Sequence, residues 1–217
     1  MSEGFRTAAV LALAGGFLET YTFILHGKVF ANAQTGNIAL CGMALAGGNW
    51  SEALKYLIPI LSFAAGVGFV EFIRRRWQKL SLLHWRQLMV LLEAFILSAC
   101  FFIPAGTADR LANLIVSVAC ALQVQTFRKI HGTPFASTMC TGNLRSLTIA
   151  WIAWRRMGQK DALRQVLHLG GIIAAFLLGA AIALPFIDCL CEKSVVLPLL
   201  LLVTAIGLMS IPPKARA

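Results

Sequence analysis

The chain reads as long apolar runs separated by short polar breaks. Six runs approach the roughly twenty residues that a helix needs to cross a bilayer: about 7–25, 54–73, 87–104, 111–128, 163–187 and 195–212. Two shorter runs, about 35–47 (TGNIALCGMALAG) and 141–154 (TGNLRSLTIAWIAW), are rich in small residues. Either these also cross, giving eight spans, or they dip in and return as re-entrant half-helices, giving six.

Charge discriminates between the two, because Lys and Arg collect in the short cytoplasmic loops of membrane proteins. With the N-terminus cytoplasmic and both short runs re-entrant, Lys28, Lys55, Arg110 and Lys193 lie outside and the rest of the 19 Lys and Arg lie inside. Eight crossings divide the charges evenly and strand Arg145 within the membrane. The pattern therefore predicts a single all-α integral membrane domain over 1–217. It has six transmembrane helices, two short re-entrant half-helices and both termini in the cytoplasm.

Composition agrees and removes other classes. Hydrophobic residues make up 59% and charged residues 13% of the chain, about half the ~25% charged share of a soluble domain. Mean hydropathy is +0.78, more apolar surface than a soluble domain of this size hides. The net charge of +10 sits in short clusters between apolar runs, which marks topology rather than nucleic-acid binding. Cys41, Cys100, Cys120 and Cys140 lie in or beside apolar runs, and Cys189 and Cys191 share a short loop. None has metal-ligand spacing, so neither metal nor cofactor is expected. Ala12-Leu13-Ala14 imitates a signal-cleavage site, but Arg6 is a thin basic region and the run has a counterpart later in the chain, so it is read as a span.

That counterpart belongs to an internal repeat. His26-Gly27 with Phe30-Ala31 is matched by His131-Gly132 with Phe135-Ala136, Thr35-Gly36-Asn37 by Thr141-Gly142-Asn143, and Glu19-Thr20-Tyr21 by Gln125-Thr126-Phe127. Repeat 1 covers about 7–104 and repeat 2 about 111–212. Each holds three spans and one short element, and an odd number of spans inverts the second repeat. Inverted repeats with half-helices near the midplane are a recurring transporter and channel architecture. A half-helix start inside the bilayer presents free N–H groups and a positive dipole end to a polar solute.

The stretches GGFLETYTFILHGKVFANAQTGN and ALQVQTFRKIHGTPFASTMCTGNLR resemble the two signature regions of the DUF1275 (YoaK-like) bacterial membrane proteins. The resemblance covers essentially the whole chain. It implies a multi-pass protein of the bacterial inner membrane, of uncharacterised activity and often presumed a transporter. The first motif in that family usually carries Asp where Glu19 stands and the second Asn where Gln125 stands, so both side chains here are one methylene longer.

Candidate site residues follow from depth and repeat position. Glu19 lies near mid-depth, where an ionised carboxylate costs about 2.5–3.5 kcal/mol on insertion scales and so faces a cavity or a partner. Gln125 is its repeat equivalent. Thr35 and Thr141 offer caps for the half-helices, Gly36 and Gly142 allow close approach, and Asn37 and Asn143 project amides. These eight are the expected solute path. Glu93, Arg145, His26 and His131 are candidates for a second layer or for gating. Arg145 has the alternative of snorkelling to the cytoplasmic face. The small residues Ala175, Gly179, Ala183, Ser62 and Gly66 read as helix packing.

Nucleotide-binding, hydrolase and metalloprotease motifs are absent from the sequence, so an enzyme is not expected. The expected function is a small transporter or channel for a polar or charged solute. The alternative is a non-transporting scaffold, or an assembly or lipid-interacting protein, whose buried polar residues join helices. Expected partners are the lipid bilayer and a small solute of unfixed identity, not nucleic acid, with room for an oligomer.

Overall fold

The computed structural model describes residues 4–77, 85–130 and 133–210. These form α1 (Phe5–Leu25), α2 (Gln34–Ala46), α3 (Trp50–Trp77), α4 (Trp85–Ser98), α5 (Asp109–Thr126), α6 (Cys140–Met157), α7 (Lys160–Leu190) and α8 (Val196–Ser210). A two-residue hairpin, β1 (Lys129–Ile130) with β2 (Thr133–Pro134), follows α5. His131 lies outside the described residues.

Local chemistry sets several boundaries. The Asn49 side chain accepts from the Glu52 N–H and caps α3. Glu52 occupies its first turn and Arg74, Arg75 and Arg76 its last, so both ends complement the helix dipole. Gly158, at φ 63°, ends α6 and returns its N–H to the Trp154 carbonyl.

Four stretches are long and apolar enough to cross a membrane: Phe5–Leu25, Trp50–Arg76, Trp85–Phe102 and Lys160–Ser210. The last contains α7 and α8, joined by a 3-10 turn over Cys191–Val195. The expected run 111–128 corresponds to α5, which is not among them. Asn113, Ser117, Gln123 and Thr126 interrupt its apolar sequence, and all four are buried. Large apolar side chains such as Met43, Phe72, Phe95, Leu167 and Leu177 are exposed instead, as suits helices whose outer faces meet lipid.

Helix α1 runs parallel to α7, with Phe5 against Gly171, Leu13 against Gly179 and the Tyr21 hydroxyl donating to the Glu192 carbonyl. Helix α3 runs parallel to α5, from Arg110 bonding Ser51 to Gln125 bonding Glu71. The glycines permit these approaches. A Cβ at Gly179 would strike the Leu13 carbonyl, and one at Gly66 would meet Ala121 and Val118. Lipid tails are as apolar as Leu, so such close backbone contact, not hydrophobic burial, holds membrane helices together. The small-residue stripes are thus packing surfaces.

Helix α5 runs antiparallel to α1. The Asn113 amide donates to the His26 carbonyl near the end of α1, and the Gln123 amide to the Leu11 carbonyl nearer its start. The remaining partners pair off. Helix α2 lies on α3 and α6 on α7, while α4 packs on α5 and α8 on α1.

Candidate functional site

Two chain segments turn back into the body of the molecule. After α1, Gly27 and Lys28 adopt left-handed backbone (φ 80° and 61°), which glycine tolerates without cost. The chain then descends along the helix it has just left. The Ala31 N–H donates to Thr22 Oγ1 (3.3 Å), the Asn32 N–H to Glu19 Oε2 (3.2 Å) and Asn32 Nδ2 to the Gly15 carbonyl (3.3 Å). From α5, Ser117 donates to the Ala31 carbonyl at 2.8 Å. Helix α2 therefore begins beside the middle of α1.

The second segment does the same after the β hairpin. Gln123 Nε2 donates to Ser137 Oγ at 2.7 Å. Ser137 and Thr138 pack on Gly15, where an added Cβ would lie 2.9 Å from Thr138 Cγ2. The starts of α2 and α6 thus converge on Gly15. Irregular backbone inside a packed protein survives only where its polar groups are satisfied, and these side chains supply the partners.

One device is repeated. Asn37 Oδ1 accepts from the Phe30 N–H (3.3 Å) while its Nδ2 donates to the Phe30 carbonyl (2.6 Å). Asn143 holds both backbone groups of Ala136 in the same manner, at 3.0 and 2.6 Å. The clamp pairs Phe30 with Ala136, so the repeat register slips by one residue from the Phe30–Phe135 match in the sequence.

Around the convergence lies a set of buried oxygens. Asn32, Gln123, Thr138 and Glu93 are each at most 2% exposed. Asn32 Oδ1, Gln123 Oε1, Thr138 Oγ1 and both Glu93 carboxyl oxygens have no hydrogen-bond partner among the described residues. The two amides are oriented by backbone carbonyls that accept from their nitrogens, which leaves the oxygens as unused acceptors. Cys120 lies within electrostatic reach of both Glu19 and Glu93, linking the second acid to the same interior.

The expected path residues separate into three groups. Glu19 is at the convergence. Asn37 and Asn143 are buried beside it, but their amides hold the returning backbone and do not project as free groups. Thr35, Thr141 and Gly142 are exposed on the outer faces of α2 and α6. Because these helices start at Gln34 and Cys140, the threonines lie in the first turn and are not caps, and neither helix start has a side-chain cap bond. Gly36 packs against the Phe30 ring. Gln125 is not beside Glu19: its amide donates to Glu71 Oε2 (3.0 Å) at the far end of α5. Residues two apart on a helix point to nearly opposite sides, and it is Gln123 that faces inward.

The second-layer candidates differ as well. Arg145 is exposed and makes no salt bridge with Glu19 or Glu93. His26 is fully buried with Nδ1 2.9 Å from Asp109 Oδ1, which ties the end of α1 to the start of α5. Asn32, Gln123, Ser137, Thr138 and Cys120 were not singled out by sequence. Asn32 and Thr138 each precede a TGN by the same interval, and that shared position is the signal that would have found them.

Comparison with known proteins agrees with this reading of the chain as a membrane protein. The UPF0700 transmembrane protein YoaK of Bacillus subtilis (strain 168) is 26% identical over 142 residues, covering 64% of this chain and 63% of the relative. The aligned part thus spans less than two thirds of that protein. No solved structure matches. The family model described as "Protein of unknown function (DUF1275)" matches residues 7–208, nearly the whole helical bundle with both returning segments, and the chain belongs to that family.

Proposed function

We propose that this protein is a small transporter or channel of the bacterial inner membrane. Six helices span, α2 and α6 are re-entrant half-helices, and the two halves are inverted repeats with both termini cytoplasmic. The antiparallel run of α1 and α5 supports the inversion, because eight crossings would make these helices parallel. The close approach of Lys55, near the start of α3, to Gly27 supports re-entry, since α2 then leaves by the face at which α1 ended. The path is lined by Glu19, Asn32, Gln123, Ser137 and Thr138, with Glu93 reached past Cys120.

One observation carries the reading: two returning segments meet at Gly15 among buried oxygens that lack donors. Unpartnered buried acceptors are costly in a merely structural core, at about 1–3 kcal/mol each, and a passing solute or water that donates hydrogen bonds relieves them.

Two measurements test it. Single cysteines at Lys28 and Asn49, in a cysteine-free background, are expected to react with an impermeant maleimide from the same membrane face. Labelling from opposite faces overturns the re-entrant topology. Stopped-flow light scattering of proteoliposomes under gradients of urea, glycerol, ammonium chloride and sodium chloride is expected to reveal a protein-dependent flux that Glu19→Gln removes. A flux indifferent to Glu19→Gln, Asn32→Ala and Thr138→Val together overturns the assigned path.

The scaffold reading is favoured by the Asn37 and Asn143 clamps, polar groups wholly engaged in holding the fold. It requires that no gradient give a protein-dependent flux and that the same substitutions lower stability alone.

A further inference from the structure

At the end of α5 farthest from His26, a cleft of about 690 Å³ opens between the ends of α3 and α5, the start of α4 and the β hairpin. Arg74, Arg86, Arg128 and Lys129 line it, with Trp85 and Thr126. Arg74, Arg128 and Lys129, brought into one cleft from α3 and from the chain after α5, repel each other unless an anion joins them. Glu71 answers part of that charge, but its carboxylate is already engaged by Arg74 (2.7 Å), Arg75 (3.4 Å) and the Gln125 amide (3.0 Å). Arg128 and Lys129 are exposed and form no salt bridge among the described residues.

A second observation points the same way. Thr126 is 2% exposed, lines the cleft and has no hydrogen-bond partner for Oγ1 among the described residues. Its hydroxyl can donate to an oxyanion there. We propose that this cleft binds a phosphate-bearing anion, with Arg128 and Lys129 supplying the charge, Arg74 held ready by Glu71, and Thr126 in its wall. The volume exceeds a bare phosphate ion and accommodates a phosphodiester with its substituents. Arg86 lies over the Trp85 ring, 5.7 Å from its centroid. Basic pockets between membrane helices suit lipid head groups, but a soluble phosphate compound has the same chemistry. The site is independent of the interior path, so it stands or falls separately from any flux.

The test uses the full-length protein in zwitterionic detergent, titrated calorimetrically with inorganic phosphate, short-chain phosphatidylglycerol and short-chain phosphatidylcholine. Saturable binding of phosphatidylglycerol alone assigns a lipid head group. Mutually competitive binding of phosphatidylglycerol and phosphate assigns a phosphate site open to soluble ligands. In either case Arg128→Gln/Lys129→Gln is expected to weaken binding about thirtyfold, taking roughly fivefold for each surface cation removed. Arg128→Lys/Lys129→Arg is expected to retain it, which separates lost charge from lost fold. The proposal is overturned if neither probe binds better than phosphatidylcholine, or if the double Gln variant binds like wild type.

Discussion

The two returning segments share one clamp and little else. In each, an asparagine grips the N–H and carbonyl of the residue seven positions upstream. Around that clamp the first segment is tied to Glu19, Thr22, Gly15 and Ser117. The second passes through a β hairpin and meets Gln123 and Gly15. What the halves have in common is therefore the means of holding irregular backbone inside a helical bundle. What differs is the chemistry offered at the centre, an acid from one side and hydroxyls and an amide from the other. A scaffold needs only the common part.

The largest expected effect comes from removing the common part. Asn37→Ala leaves the N–H and carbonyl of Phe30 without their side-chain partner, and Asn143→Ala does the same at Ala136. These groups are part-buried, so at about 1–2 kcal/mol for each one left unsatisfied either variant should lose roughly 2–4 kcal/mol in reversible unfolding in detergent. The two losses should agree to within about 1 kcal/mol if the clamps are equivalent. A tolerated Asn143→Ala beside a destructive Asn37→Ala would show that the second half is held by its hairpin instead.

Next in size are the helix contacts that flank the two segments. A Cβ at Gly179 meets the Leu13 backbone, which cannot move aside, whereas one at Gly66 first meets the methyl of Ala121. Overpacking costs typically 1–3 kcal/mol. Gly179→Ala should fall at the upper end of that range and Gly66→Ala near the lower, measured in the same unfolding assay. Equal losses would mean that the α1–α7 and α3–α5 contacts are equally close.

These pairs also show what the sequence makes legible. The apolar runs located the helices, and the small-residue stripes around Gly179 and Gly66 located their closest contacts, because both follow from composition and helical spacing. The rotation of α5 was not legible. A polar residue every few positions gave no means of choosing Gln123 over Gln125, and the internal repeat favoured the wrong one. The repeat register itself slips inside the returning segments, where the second has one more residue between Ala136 and Thr141 than the first has between Ala31 and Thr35. The threonines of both TGN motifs suggested caps, but α2 and α6 start one residue before them. Mutual satisfaction of backbone groups decides such starts, and that is settled between segments distant in sequence.

A smaller effect is expected where the halves are joined. His26 Nδ1 and Asp109 Oδ1 are 2.9 Å apart, with the histidine fully buried and the aspartate about one-third exposed. Solvent at Asp109 weakens the pair, so Asp109→Ala should lose about 1 kcal/mol. Asn113→Ala, which frees the buried His26 carbonyl, should lose more. The reverse order would mean that the His26–Asp109 contact, and not the amide, fixes the end of α1 against α5.

The smallest change in stability is expected at the residue that most distinguishes the first segment. Glu19 Oε2 accepts from the Asn32 N–H at 3.2 Å. Glu19→Gln keeps an acceptor of the same reach and should alter stability by no more than about 0.5 kcal/mol. Glu19→Leu removes the acceptor and should lose about 1–2 kcal/mol. If Glu19 serves only the fold, the Gln variant behaves as wild type in every assay and only the Leu variant is impaired. If it serves a path, both variants lose flux while only one loses stability. Stability and flux measured on the same two preparations thus separate the common clamp from the chemistry that one half adds to it.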